Sequence, residues 1–370
     1  MDELIDDVVE GILLRLPPAD PASLVRAALV CRRWRRLISD RGFRRRFIEL
    51  HRNPPTLGFF HSRTYCTRFL PTSSFRPPYT YAVPADWRAT DARHGRVLYS
   101  DGGDLVVSCP MTGDTRRLPK PWPPHTSENY CHWSAAVLCP APGCDHLDCP
   151  RGSFLVVAVV SLTREPHPST CAYIYSSETG TWRVAASVDH PARSAVLGKP
   201  LIAAGNALYS KFFLGSRSCS VLLEYDLGKQ ELSFIDLPPN APPWQWPTLL
   251  VENGGRLGIA AIMQSKLHIW LRDDTAGQNG WGWARNRVID LMTLFPDICT
   301  ATISPHLLTF VDGIDVVSVW IPSVGLGVFN LHIKSGLVTK VGEIVGYFAF
   351  LPYTCFYIPS VGRSLRAHEG

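Results

Sequence analysis

The sequence predicts a mainly β protein, in which a short N-terminal α-helical module precedes a β-propeller of about six blades, five and seven being left open. Three observations predict it. Thirty-one prolines and 28 glycines lie scattered between short apolar runs, the mark of many turns and hence many strands. A helical hydrophobic period is confined to the first fifty or so residues. Beyond about Thr56 a loose unit recurs: an aromatic-rich strand, a tight turn, then a strand often ending near Leu-Pro.

Composition supports a folded chain. With 370 residues, 46% hydrophobic and 19% charged, intrinsic disorder is excluded for most of its length. The longest near-unbroken apolar run, Phe154 to Leu162, is about half of the ~20 residues that a membrane-crossing helix needs. The chain opens Met1-Asp2-Glu3, acidic where a secretory leader is basic. Eleven cysteines, an odd number, occur without any Asn-x-Ser/Thr sequon. These features predict an intracellular protein, cytoplasmic or nuclear, with thiols kept reduced and no membrane partner.

In the helical module, Leu4, Ile5, Val8, Val9, Ile12, Leu13 and Leu16 fall at steps of one, three and four, one apolar stripe of an amphipathic helix. Pro17-Pro18 ends it. A second helix starts at Asp20-Pro21, an N-cap acid before a proline, and its stripe runs Leu24, Ala27, Ala28, Cys31, Trp34, Leu37, Ile38. Fifty residues of helix bury too little surface to stand alone. Both stripes therefore need a partner, either the rest of the chain or a separate protein.

Leu4-Ile5-Asp6-Asp7-Val8-Val9-Glu10-Gly11-Ile12-Leu13-Leu14-Arg15-Leu16-Pro17, followed by Leu29-Val30-Cys31-Arg32-Arg33-Trp34-Arg35-Arg36-Leu37-Ile38, resembles an F-box. Ile5 stands where that family usually has proline. The resemblance covers about an eighth of the chain. It implies binding to a Skp-type adaptor and, through it, to a cullin-RING ubiquitin ligase. The residues expected to meet the adaptor are Leu4, Ile5, Val8, Ile12, Leu13, Leu16, Leu24, Val30 and Trp34, an apolar helix-in-groove surface. The arginines 32, 33, 35, 36, 41, 44, 45 and 46 form a basic cluster. With only Trp34 and Phe43 beside them for stacking, they read as a solvated face or the complement of an acidic partner, not as a nucleic-acid interface.

In the repeat region, Gly113, Gly180, Gly228, Gly282 and Gly336 are expected at hairpin turns, and Gly205-Asn206 turns another hairpin. The Thr-Gly and Tyr-Asp-Leu turns, and the stretch from Val137-Leu138-Cys139 to Cys149, are similar to the kelch-like domains of plant, particularly grass, F-box proteins. In that family the repeat domain holds the target protein. The organisation expected is a helical module at 1–48, a linker at 49–55, a propeller at 56–360 and a flexible tail at 361–370.

Chemistry is sparse. Gly-x-Ser-x-Gly, His-Glu-x-x-His and phosphate-loop motifs are missing, so no catalytic residue and no cofactor is assigned. Cys131, His132, Cys139, Cys144, His146 and Cys149 crowd together, but no Cys-x-x-Cys occurs, and the stretch reads as a long hairpin loop with no metal assigned. His268, His306 and His332 read as structural, and Asp226, Asp236, Asp290 and Asp312 as turn caps. Trp122, Trp244, Trp246, Trp281 and Trp283 lie among loop-forming residues. They are either recognition anchors for the target or packing under the blade tips.

Overall fold

A computed structural model describes residues 6–359 apart from 64–65, 81–82, 122–130, 141–143, 145–148, 150–151, 164–167, 192–193, 216–218, 239–240, 242–247, 253–254, 274–281, 296–304, 312–314, 322–326 and 345–348. The expected tail lies outside the described residues.

Four helices come first: α1 (Asp6–Leu14), α2 (Pro21–Val30), α3 (Arg32–Ser39) and α4 (Arg41–His51). Asp6 and Asp7 sit in the first turn of α1, where the helix dipole favours negative charge. Pro21 opens α2. The single second helix expected from Pro21 to Ile38 is broken at Cys31, whose backbone is extended (φ −156°, ψ 167°) and whose sulfur accepts the Trp34 N–H at 3.4 Å. Unbroken, that helix would run about 27 Å straight, at ~1.5 Å per residue. The break folds its stripe back, so that Leu24, Ala27 and Ala28 of α2 and Ile38 of α3 share one core with Val9, Leu13, Phe43 and Phe47. The sequence reading missed α4. Asp40 caps it, accepting from Gly42 N and Phe43 N at 2.7 and 3.2 Å, and Phe43 and Phe47, four apart, are its buried face.

The rest is six sheets. β1 (Thr56–Ser62) and β2 (Thr67–Pro71) join β23 (Ala349–Thr354) in one of three strands. Blade 1 comprises β3 (Arg88–Arg93), β4 (Arg96–Asp101), β5 (Asp104–Ser108) and β6 (Thr115–Leu118). Blade 2 comprises β7 (Cys131–Leu138), β8 (Leu155–Leu162), β9 (Ser169–Ser176) and β10 (Thr181–Asp189). Blade 3 comprises β11 (Ala195–Ala204), β12 (Ala207–Leu214), β13 (Cys219–Asp226) and β14 (Glu231–Asp236). Blade 4 comprises β15 (Thr248–Val251), β16 (Leu257–Met263), β17 (Lys266–Asp273) and β18 (Gly282–Asp290), followed by a one-turn helix, α5 (Leu291–Leu294). Blade 5 comprises β19 (His306–Val311), β20 (Val316–Ile321), β21 (Gly327–His332) and β22 (Val338–Glu343).

Within each sheet all pairings are antiparallel, and the innermost strands β3, β7, β11, β15, β19 and β23 (the first of each blade, and β23 in the closing sheet) neighbour one another around the centre. The six-blade propeller is closed by the last strand, which pairs with the first: Phe60 opposes Leu351 and His61 opposes Phe350. Closure packs the inner strand edges beside one another around the centre, where they are short and protected. Buried hydroxyls repeat around the ring. Ser62 of β1 accepts Ala89 N and Ser161 of β8 accepts Val196 N, each at 3.0 Å, so a second strand ties down the first strand of the next blade. Tyr353 O–H donates to Gly95 O at 3.0 Å across the closing joint.

The expected hairpin at Gly205-Asn206 forms, and Gly113, Gly180 and Gly336 adopt φ of 78°, 73° and 71°. Gly228 also lies in its expected hairpin turn, though not as the left-handed residue. The turn after β13 puts its left-handed residue at Gln230 (φ 57°), because Asp226 Oδ1 already accepts Gly228 N and Lys229 N and shapes the turn before it. One turn assignment changes: Gly282 is no turn residue but lies in β18, opposite Asp273.

Antiparallel order puts the turns after first and third strands on one face of the ring. The helical module is on that face too, since β23 ends and β1 begins there, Thr354 opposite Thr56. Phe356 and Ile358, just past β23, pack against the helical core, with Phe356 edge-on to Phe47 at 6.3 Å. No described helix is long and apolar enough to cross a membrane.

Candidate functional site

The helices sort the expected adaptor contacts into two groups. Leu13 (2% exposed) and Leu24 are core residues, and Leu16 and Trp34 pack partly against that core. They hold the module together and present little surface. Val8, Ile12 (53% exposed) and Val30 (64% exposed) face outward. Leu4 and Ile5 lie outside the described residues. The sequence reading missed Leu29, at 77% the most exposed large apolar side chain among the described residues, although it sits beside Val30 at the end of α2. Val8 and Ile12 are four apart on α1, hence on one helical face.

Part of the arginine cluster is spoken for within the module. Arg33 pairs with Asp6 at 2.6 Å, Arg45 with Glu49 at 2.8 Å, and Arg46 with Glu10. The first and last of these tie α3 and α4 to α1, the second lies within α4, and all three lower the charge left for a phosphate backbone.

On the propeller, Trp122, Trp244, Trp246 and Trp281 lie outside the described residues. Trp283 is not a loop residue. It is the second residue of β18, packs partly against the blade 3–4 core, and donates its Nε1–H to Asp236 O at 2.8 Å. Trp182, also second in its strand, does the same from β10 to Pro119 O at 2.7 Å. Both indoles bond the fourth strand to the preceding blade. The signal for Trp182 in the sequence is the Gly-Thr-Trp run at 180–182, which sets an indole at the start of the strand after the turn.

Other polar groups are structural. His268 and His306 stack on Trp270 and Trp320, and His332 Nδ1 accepts Ser335 N. Burial lowers the His268 pKa, with Arg285 and Lys266 acting in the same direction. Between blades 3 and 4, buried Arg272 reaches Glu224 Oε1 and Tyr209 Oη, each at 3.1 Å. Asp290 caps α5 through Met292 N at 2.9 Å. A shallow polar groove lies between blades 2 and 3, lined by Ser187, Glu224, Asp226, Lys229 and Ser233.

The cysteine-rich stretch divides. Cys131 and His132 begin β7, one strand-length from Cys139, which follows its other end. His146 lies outside the described residues. Cys139, Cys144 and Cys149 converge: Cys149 Sγ is 3.5 Å from Cys144 Sγ and 3.6 Å from Cys139 Sγ, and all three sulfurs lie within 4.8 Å of one another. Burial, then the neighbouring thiols, push the Cys149 thiol up. Arg96, 3% exposed, donates to Gly152 O at 2.5 Å and lies over the Phe154 ring. Burial pulls its pKa down, while Cys149, Cys109 and Cys139 pull it up.

No curated protein matches the chain. Solved structures similar to it include an oligogalacturonate lyase in complex with manganese (10% identity, TM-score 0.38, 67% of this chain and 62% of that one). The chain thus spans less than two thirds of that lyase. Two others are a putative 6-phosphogluconolactonase from Bacteroides uniformis (13%, 0.38, 71% and 72%) and the GH93 α-L-arabinofuranosidase of Fusarium graminearum (11%, 0.41, 80% and 87%). At such identities and scores none lends its chemistry to this chain. The N-terminal helices are another matter: residues 1–46 match the F-box domain.

Proposed function

We propose that this protein is a non-catalytic substrate-recognition adaptor of an SCF-type cullin-RING ubiquitin ligase, working inside the cell, in cytoplasm or nucleus. Its F-box helices dock a Skp-type adaptor, and its propeller, read as kelch-like and of the plant F-box type, holds a target protein. The mechanism is proximity: an acceptor lysine is held at high effective concentration near the ligase. The observation that carries the reading is the set Val8, Ile12, Leu29 and Val30, large apolar side chains left in water on helices that match an F-box. A groove-filling partner would cover them. The target is assigned to the ring face opposite the helices, which is left clear of the module.

A second reading is supported by Phe356 and Ile358, which show the helices already packing on their own propeller. In it the chain is a kelch-like protein-binding scaffold outside any ligase. Co-purification with a Skp-type adaptor and cullin separates the two. Stoichiometric capture that Ile12→Asp or Val30→Asp removes, with the melting profile kept, supports the adaptor. Failure to capture any Skp-type adaptor supports the scaffold.

A further inference from the structure

We propose that Cys139, Cys144 and Cys149 form a three-thiolate site for a structural zinc ion, with Arg96 as its buried counter-charge. Zinc bound at ~2.3 Å by tetrahedral sulfurs places them ~3.8 Å apart. The separations of 3.5 and 3.6 Å lie near that edge and far from the ~2.05 Å of a disulfide. Thiolate is the donor class that zinc favours over harder cations.

Charge supports the same assignment. Arg96 is buried, and among the described residues no carboxylate pairs with it. An uncompensated buried cation is costly. Three thiolates and Zn2+ sum to −1, and the guanidinium brings the site to neutrality. Its bond to Gly152 O, three residues past Cys149, fastens the same loop from blade 1. On binding, each Sγ–H gives its proton to buffer as an Sγ–zinc bond forms, three protons per ion without redox change. The ion would pin the long β7–β8 connection, whose spacing lacks the paired Cys-x-x-Cys of common zinc motifs, to the border of blades 1 and 2.

The test is metal analysis of the full chain purified without chelator from zinc-supplemented cells. About one zinc per chain is expected, falling to background in the double variant Cys139→Ser/Cys144→Ser, with Arg96→Met weakening zinc affinity ~10–100-fold as outer-sphere partners do. Zinc far below stoichiometric, or fully retained by the double variant, overturns the proposal. Should that variant misfold, cobalt loaded into the zinc-stripped wild type decides. Tetrahedral ligand-field bands with sulfur-to-cobalt charge transfer uphold the site, and their absence overturns it.

Discussion

Ile12 and Leu13 are chain neighbours with opposite fates, and substituting each by aspartate separates docking from folding. Leu13 is 2% exposed among Val9, Leu24, Ile38, Phe43 and Phe47. Truncating such a leucine to alanine costs about 2–5 kcal/mol, and a carboxylate adds the cost of an unpaired buried charge. At about 0.05–0.15 kcal/mol per residue, a 46-residue module carries only about 2–7 kcal/mol. Leu13→Asp should therefore unfold it. Ile12 is 53% exposed in the last turn of α1. There an aspartate loses a few tenths of a kcal/mol in helix propensity and about 0.3–1 kcal/mol against the dipole. Ile12→Asp should keep the fold while removing an interface anchor worth about 2 kcal/mol, roughly a 30-fold weaker Kd. Helical circular dichroism with limited proteolysis reads folding, and titration against a Skp-type adaptor reads docking. Wild-type affinity in Ile12→Asp, or a wild-type melt in Leu13→Asp, would refute the division of the module into a core face and a docking face.

Three further outcomes are expected. Trp182→Phe and Trp283→Phe each remove one inter-blade hydrogen bond and should each cost about 1 kcal/mol in urea unfolding; lying on different blade borders, they should add to within ~0.5 kcal/mol. Asp91, which accepts Val137 N at 2.8 Å across the blade 1–2 border, has its pKa raised by burial against the lowering pull of Arg93 and backbone N–H groups. A carboxyl raised in the folded state contributes stability fully below the unfolded pKa and loses it as pH rises through the folded value. Denaturation midpoints followed upward from the ordinary carboxylate range should fall less steeply in Asp91→Asn than in wild type. Phe356→Ala should cost about 1–2 kcal/mol, less than a fully buried phenylalanine, and should speed proteolysis at residues 52–55 while sheet circular dichroism stays unchanged.

What was legible in the sequence was what depends on local pattern. The amphipathic stripe of α1, the proline at the start of α2 and the glycines at 113, 180, 205 and 336 all carry their reason within a few residues. The break at Cys31 was not legible, because the stripe keeps helical phase across it and only the shared core of Leu24 and Ile38 requires the chain to fold back. α4 was hidden by its arginines, although Asp40 with Phe43 and Phe47 spelled a cap and a buried face. The split of the adaptor set, Leu13 inside and Ile12 outside, depends on how four helices pack. The meeting of Cys139, Cys144 and Cys149, five apart in each step, depends on the path of a loop and on Arg96 from another blade.

The closing joint of the ring bears on both proposals at once. Because β1 and β23 are neighbours, the helical module is attached from two sides, by residues 52–55 ahead of β1 and by residues 355–359 behind β23. Cys355 N bonds Pro55 O at 3.2 Å, so the two attachments are joined to each other. A module held at two points loses less orientation than one on a single flexible linker, and effective concentration depends on that restriction. The β7–β8 connection opens on the same face as the module, since Asp91 near the end of β3 bonds Val137 near the end of β7, and Tyr353 near the end of β23 bonds Gly95. Under the adaptor reading, a zinc ion there stiffens the side of the ring that faces the ligase. Stripping the metal should then disturb the seating of the module more than capture of a target on the opposite face.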